Sequence, residues 1–153
     1  MKFDKIIKNG KVIDGTGNPW YRADIGIEGE RIREIGILPA SSGDMVIDAS
    51  GLAVSPGFVD IHSHSDLVFP LPDNAAILSP FVCQGTTTQV IGNCGISPSP
   101  VNEESLSLMK GYLALITARD IPWNWSSFSD YLAVLEKTGV VMNVAPLVGQ
   151  GAI

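Results

Sequence analysis

Apolar and polar residues alternate in short runs through the first 55 residues of the chain. A period of two is typical of half-buried β-strands, and glycine, proline and asparagine separate the runs. The Asn9-Gly10 dipeptide suits the positive φ angles of a tight hairpin turn, and a second hairpin is expected around Gly29. Residues 1–55 therefore predict a small β-sandwich module with strands at Lys5–Lys8, Lys11–Asp14, Ala23–Ile27, Arg31–Ile35, Met45–Asp48 and Leu52–Val54.

Beyond residue 55 strand-like and helix-like segments alternate, which is typical of a parallel sheet or barrel. At roughly 30 residues per βα unit, this part holds about three units, whereas a TIM-like (β/α)8 barrel needs about 250 residues. Because the chain stops directly after a strand-like run, we expect residues 56–153 to form the first part of a truncated barrel. The predicted strands end near His64, Ile91 and Ala145, and the predicted helices are Ala75–Cys83, Glu103–Ala118 and Ser127–Lys137.

The first strand of this second part carries two imidazoles and a carboxylate. Asp60, His62 and His64 alternate along it, so their side chains are expected on one face of the strand. They include both histidines of the chain. Imidazole nitrogens bind zinc-type metals readily, so His62 and His64 are candidate metal ligands. The alternative is a chance pair of surface histidines.

Cys94 follows the second strand between Gly92 and Gly95. Active sites of α/β barrels lie at the carboxyl ends of the strands, and neighbouring strands are about 4.8 Å apart. Cys94 could therefore reach the same metal as His62 and His64. The alternative is a small buried apolar residue, as most free cysteines are.

The remaining candidates are weaker. Asp60 could hold a ligand histidine by a hydrogen bond or satisfy backbone donors. Asp66 could face the substrate pocket, although a position in solvent is the favoured interpretation. Cys83, in an apolar helical context, is expected to pack, and so are Trp123 and Trp125.

Composition narrows the class of protein. A net charge of −6 without a basic cluster argues against a nucleic-acid partner. We find no signal-peptide pattern, and no apolar run reaches the roughly 18 residues of a membrane span. Two cysteines without a disulfide framework suggest reduced thiols. We expect a cytoplasmic protein that does not bind membranes.

These motifs resemble a known superfamily. The segment 56–64 resembles the metal-binding first strand of the amidohydrolase superfamily, and residues 7–17 resemble its N-terminal β module. Three further segments narrow the resemblance to N-acyl-D-amino-acid deacylases (D-aminoacylases). These segments are Ile91–Gly95, Trp125–Glu136 and Asn143–Gly149, and Cys94 is their most specific element.

The resemblance implies a zinc-dependent hydrolase that cleaves the linear amide of an N-acyl-D-amino acid with metal-activated water. A cysteine at the position of Cys94 is a ligand of one tight zinc site in that family. Histidines matching His62 and His64 form a second, weaker site. The family's later histidines and its acid/base aspartate have no counterpart in these 153 residues, so the chain alone is expected to be inactive. At Gln150 the family often carries histidine.

Two alternatives stay open at this point. One is a cyclic-amide hydrolase of the hydantoinase or dihydroorotase type, which generally bridges two metals with a carboxylated lysine and does not use a cysteine. The other is a non-catalytic fragment that pairs with a partner or with itself, because an incomplete barrel leaves an open sheet edge.

Overall fold

The computed structural model describes residues 2–113 and 119–153. Contacts between residues divide the chain into two compact units, Met1–Pro56 and Gly57–Ile153. Among the described residues, no helix is both long and apolar enough to cross a membrane. Each unit contains one β-sheet, and the two sheets differ in strand direction.

The first unit is a single five-stranded sheet in which β3, β2, β1 and β4 follow one another, and β5 pairs with β1 beyond β4. The β1–β2 and β2–β3 pairs are antiparallel, whereas β4 and β5 run parallel to β1. The predicted module is thus one sheet in the described residues, where a sandwich would have two. Its strands are β1 (Phe3–Val12), β2 (Tyr21–Glu28), β3 (Arg31–Gly36), β4 (Gly43–Asp48) and β5 (Ala53–Val54).

The hairpin predicted at Asn9-Gly10 is wrong. β1 continues through this dipeptide, and the register against β2 shifts between Ile7 and Gly10. Asn9 takes a positive φ of 64°, and its N–H donates to Oδ1 of buried Asp24 over 2.9 Å. The dipeptide forms a β-bulge because the buried carboxylate binds the displaced N–H. The second hairpin, β2 to β3 around Gly29, is confirmed.

The second unit is a three-stranded parallel sheet in the order β6-β7-β8. Strands alternate with helices, as predicted for the start of an α/β barrel. The described part of α2 ends at Leu113, and residues 114–118 of the predicted helix lie outside the described residues. The elements are β6 (Phe58–Asp60), α1 (Asn74–Cys83), β7 (Thr86–Ile91), α2 (Glu103–Leu113), α3 (Phe128–Thr138) and β8 (Asn143–Pro146).

Strand β6 is shorter than predicted. It ends at Asp60, and His64 immediately precedes a short 3₁₀ helix, Ser65–Leu67. The apolar side chains of Val59 and Ile61 are 56% and 75% exposed. The prediction that Asp60, His62 and His64 share one face of a strand is therefore wrong, because β6 ends before the first histidine.

Aromatic packing holds α3 in this unit. Ser127 caps the helix and forms a capping box with Asp130, which satisfies the first free N–H groups of the helix. Trp125 is buried, lies 5.3 Å from the Tyr131 ring, and donates from Nε1 to the Pro98 carbonyl over 2.7 Å. The prediction that Trp123 and Trp125 pack is confirmed. Cys83, by contrast, is exposed and not packed.

Candidate metal centre

Three potential metal-ligating side chains meet beyond the carboxyl ends of β6 and β7. One ligand atom each from His62, His64 and Cys94 can be chosen so that all three lie within 4.8 Å of one another. Nε2 of His62 is 3.2 Å from Sγ of Cys94, and the two imidazole rings are 5.5 Å apart, edge to face. The fold thus brings together residues separated by about 30 positions, because β6 and β7 are adjacent parallel strands.

The histidines are presented by a turn and not by the strand itself. The carboxylate of Asp60 accepts a hydrogen bond from the N–H of His62 over 3.2 Å, a local turn typical of aspartate. The N–H of Ser63 donates to the carbonyl of Val90 over 3.1 Å. This bond fixes the histidine turn to the end of β7. Asp60 therefore contacts the backbone of a candidate ligand and not its ring.

The loop that carries Cys94 is built from left-handed backbone. Gly92, Cys94 and Gly95 have φ angles of 79°, 59° and 72°. A Cβ on Gly92 would lie 2.1 Å from the carbonyl oxygen of Leu147, so only glycine fits there. A non-glycine residue in this region costs roughly 1–2 kcal/mol, and such outliers cluster at functional sites. The strained residue here is the candidate ligand itself.

Asp66 is buried, with 4% of its surface exposed, so the prediction that it faces solvent is wrong. Its Oδ1 accepts the N–H of Gly92 over 2.5 Å, and its Oδ2 lies 3.9 Å from Nδ1 of His64. One carboxylate thus bonds the β7 loop and lies near the candidate ligand His64 without a hydrogen bond to it. Exposure was predicted because Asp66 lies in the segment after the histidines, which was expected to be a loop. The structure forms a 3₁₀ helix there, and Asp66 is buried in it.

Burial also sets the acidity of this region. Loss of solvent raises the pKa of Asp66 above its ordinary value, against the opposing N–H donors of Asp66 and Gly92 and the nearby His64. The hydroxyl of Tyr131 donates to the backbone carbonyl of Asp66 over 2.6 Å. Burial, followed by the Asp66 charge, raises the pKa of Tyr131 well above 10. Tyr131 therefore acts here as a neutral donor.

Asn93 supports the site and was not singled out from the sequence. Its Nδ2 donates to the carbonyls of Val90, over 2.8 Å, and Ser63, over 3.2 Å. The same amide therefore closes the end of β7 and joins it to the histidine turn. The signal available in the sequence was an asparagine between a glycine and a candidate ligand, since asparagine side chains commonly bond nearby backbone.

The end of β8 packs against the cysteine loop. The N–H of Gly151 donates to the Gly95 carbonyl over 2.7 Å, and a Cβ on Gly149 would lie 2.6 Å from that carbonyl group. The neighbouring N–H of Leu147 donates to Ile91 over 2.9 Å. Gln150 begins a short 3₁₀ helix, Gln150–Ala152, after β8, and amides are not among the usual zinc ligands.

The donor set fits a zinc-type ion. Two ligands of a tetrahedral site, each about 2.0–2.3 Å from the ion, lie roughly 3.3–3.6 Å apart. The observed 3.2 Å between His62 and Cys94 is close to that separation. Nδ1 of His64 is buried without a hydrogen-bond partner. An imidazole that ligates through Nε2 usually donates its other N–H to a carboxylate, which Asp66 could supply after a small shift.

Comparisons with known proteins agree with this architecture. The model of the Amidohydrolase family matches residues 45–150, and the chain belongs to this family. It is 42% identical to an N-acyl-D-glutamate deacylase and 36% identical to a D-aminoacylase, both from Alcaligenes xylosoxydans xylosoxydans. These alignments cover 97% and 99% of the chain but 29% and 30% of the relatives, so the chain spans about 30% of their length.

A solved structure extends the likeness to three dimensions. The N-acyl-D-glutamate deacylase of Bordetella bronchiseptica, complexed with zinc and a phosphonate inhibitor that mimics the tetrahedral intermediate, superposes with a TM-score of 0.80. The match is 38% identical and covers 99% of this chain and 30% of that one. The fold is therefore that of an N-terminal β module followed by the first βα units of a TIM-like amidohydrolase barrel.

Proposed function

We propose that this chain supplies zinc ligands to a hydrolase that removes the acyl group from N-acyl-D-amino acids. The observation that carries the proposal is the meeting of His62, His64 and Cys94 beyond two parallel strands. The alignment of nearly the whole chain with part of two deacylases supports it. Because the chain spans about 30% of those relatives, the activity and substrate of the whole protein belong to the proposal as well.

The residues of the cluster have distinct roles in this proposal. When bound, the metal would act as a Lewis acid toward the amide carbonyl and the attacking water. The thiolate of Cys94 favours zinc over magnesium or calcium, which prefer oxygen ligands. Asp60 fixes the backbone of His62, and Asp66 would orient the His64 ring once a small shift brings its carboxylate within hydrogen-bond distance of Nδ1. In this proposal Cys94 ligates the tight site, and His62 and His64 belong to a second, weaker site beside it.

Cys94 discriminates between this proposal and a cyclic-amide hydrolase. The hydantoinase and dihydroorotase type generally uses a carboxylated lysine and no cysteine. If metal binding requires the Cys94 thiol, the deacylase hypothesis is favoured. If metal binding survives without the thiol, the cyclic-amide hydrolase hypothesis is favoured.

A cobalt titration of the chain tests the assignment. Cobalt(II) replaces zinc in such sites, and its thiolate charge-transfer absorption reports a bond to sulfur. We expect this absorption in the unmodified chain and its loss in Cys94→Ala, with a fall in zinc affinity of more than about 100-fold, exceeding the effect of a lost outer-shell partner. Cys83→Ala is the matched control, because Cys83 is exposed at the end of α1, away from the cluster. Equal zinc affinity in wild type and Cys94→Ala would overturn the proposal.

We also infer a cytoplasmic location, because a ligating thiolate persists in a reducing compartment. The substrate is a small molecule. Self-association through an open edge of the sheet stays a prediction, which size-exclusion chromatography tests.

A further inference from the structure

An open groove of about 890 Å³ begins at the candidate ligand Cys94 and runs along α2. Its far wall is formed by α2, with Leu108 and Tyr112 exposed and Met109 buried. Its near wall is formed by the loops after β7 and β8. The lining residues are Cys94, Gly95, Ile96, Ser107, Leu108, Met109, Gly111, Tyr112, Gln150 and Gly151.

The chemistry of the groove selects one half of the substrate. No lysine, arginine or histidine is among these lining residues, whose larger members are apolar. A carboxylate placed there would find no cationic partner among these residues, whereas a hydrocarbon chain would cover their apolar surface. In an N-acyl-D-glutamate the carboxylates all lie on the amino-acid half, and the other half is a hydrocarbon acyl chain. The groove therefore matches the acyl half.

We propose that this groove binds the acyl chain of the substrate. The preferred ligands of the protein are then N-acyl-D-amino acids with linear acyl groups longer than acetyl. The inference rests on the proposed function, which places the scissile amide at the metal beside Cys94. A groove of this volume falls within the range of ordinary ligand pockets and exceeds the needs of a two-carbon acetyl group. Leu108 and Tyr112 are exposed apolar side chains that an acyl chain would cover.

Gly111 offers a direct way to fill the groove. A Cβ built on this helical glycine meets no atom within 4 Å, so a larger side chain fits without displacing the backbone. Gly111→Leu also raises helix propensity, so loss of binding would not follow from a weakened helix. Lys110→Leu is the matched control, because it places the same side chain on the same turn of α2, outside the lining set. Leu108→Ser removes an exposed wall residue and provides a second variant.

The experiment measures binding of N-acetyl-, N-butanoyl- and N-hexanoyl-D-glutamate to the zinc-loaded chain by titration calorimetry. We expect the Kd to fall by up to about fourfold for each added methylene, and the heat capacity of binding to become more negative, as apolar surface is buried. Gly111→Leu should remove this dependence on chain length, Leu108→Ser should weaken it, and Lys110→Leu should retain it.

Two failures are distinguishable. If zinc binds through Cys94 but affinity does not depend on acyl length, or if Gly111→Leu retains the dependence, the groove assignment is overturned and the proposed function stands. If zinc does not bind through Cys94, the proposed function fails and the groove assignment with it.

Discussion

Asp24 in the first unit and Asp66 in the second are both buried aspartates, with 7% and 4% of their surfaces exposed. Asp24 faces the Lys8 ammonium over 2.7 Å and accepts the N–H groups of Asn9 and Leu38, each over 2.9 Å. Asp66 accepts the N–H of Gly92 and has no lysine or arginine partner among its described contacts. The two carboxylates therefore differ in the charges and hydrogen bonds that compensate them.

The pKa values of the two groups move in opposite directions. Burial pushes the pKa of Asp24 up, but the hydrogen bonds from Lys8, Leu38 and Asn9, together with the Lys8 charge, bring it below its ordinary value. Burial raises the pKa of Asp66, and its donors do not offset the loss of water. A fully paired carboxylate stabilises the β module. A carboxylate whose pKa is raised by burial beside a candidate ligand is typical of a functional site.

The largest expected effect is the loss of unfolding free energy when Asp24, the aspartate paired with Lys8, is replaced. Asp24→Asn leaves the Lys8 ammonium without its anion and should lower the free energy of unfolding by about 3 kcal/mol, as when one member of a buried pair is removed. Urea denaturation measures this loss. Asp44→Asn breaks the exposed Lys2–Asp44 pair and should change little, because exposed pairs contribute little. Equal losses in both variants would contradict the comparison.

At the underpaired aspartate we expect a different pattern. Asp66→Asn keeps an acceptor for Gly92 but removes a poorly compensated charge, so the metal-free chain should unfold at the same free energy or a higher one. Zinc affinity should fall by about tenfold, as when a partner of a ligating histidine is lost. Competition against a chelator measures affinity. Asp66→Ala, which also loses the bond to Gly92, should lower both affinity and stability. Loss of stability in Asp66→Asn comparable to that in Asp24→Asn would contradict this prediction.

The smallest expected effect is the loss of unfolding free energy at low pH. It distinguishes pKa shifts caused by hydrogen-bond donors from those caused by burial. Asp130 is exposed, yet the N–H and hydroxyl of Ser127, followed by those of Ser126, lower its pKa to about 2. A carboxylate with a lowered pKa stabilises the fold above its unfolded pKa of about 3.9, and this stability is lost as pH falls through the folded pKa.

Unfolding free energy should therefore fall between about pH 4 and about pH 2, and NMR titration should assign part of this fall to Asp130 and part to Asp24. Asp24→Asn should flatten the pH dependence without removing the contribution of Asp130. If Asp130 titrates at its ordinary value, donor number does not explain the direction of these shifts.

Much of the fold follows from local patterns. The β2–β3 hairpin, the three parallel strands and the capped helix α3 each combine a hydrophobic period with a turn or cap residue nearby. The Asn9-Gly10 bulge was missed because the dipeptide signals positive φ without stating whether a hairpin or a bulge uses it. Its outcome depends on Asp24, which lies 15 residues away in sequence.

The sequence by itself determined which side chains can ligate a metal, because His62, His64 and Cys94 are chemically suited to it and lie where strands end. The tertiary structure decided how they meet. It ended β6 before the histidines, held Cys94 in left-handed backbone between two glycines, and turned Asp66 inward to Gly92. These outcomes depend on contacts between β6 and β7, and no local pattern encodes the neighbour that a loop will meet.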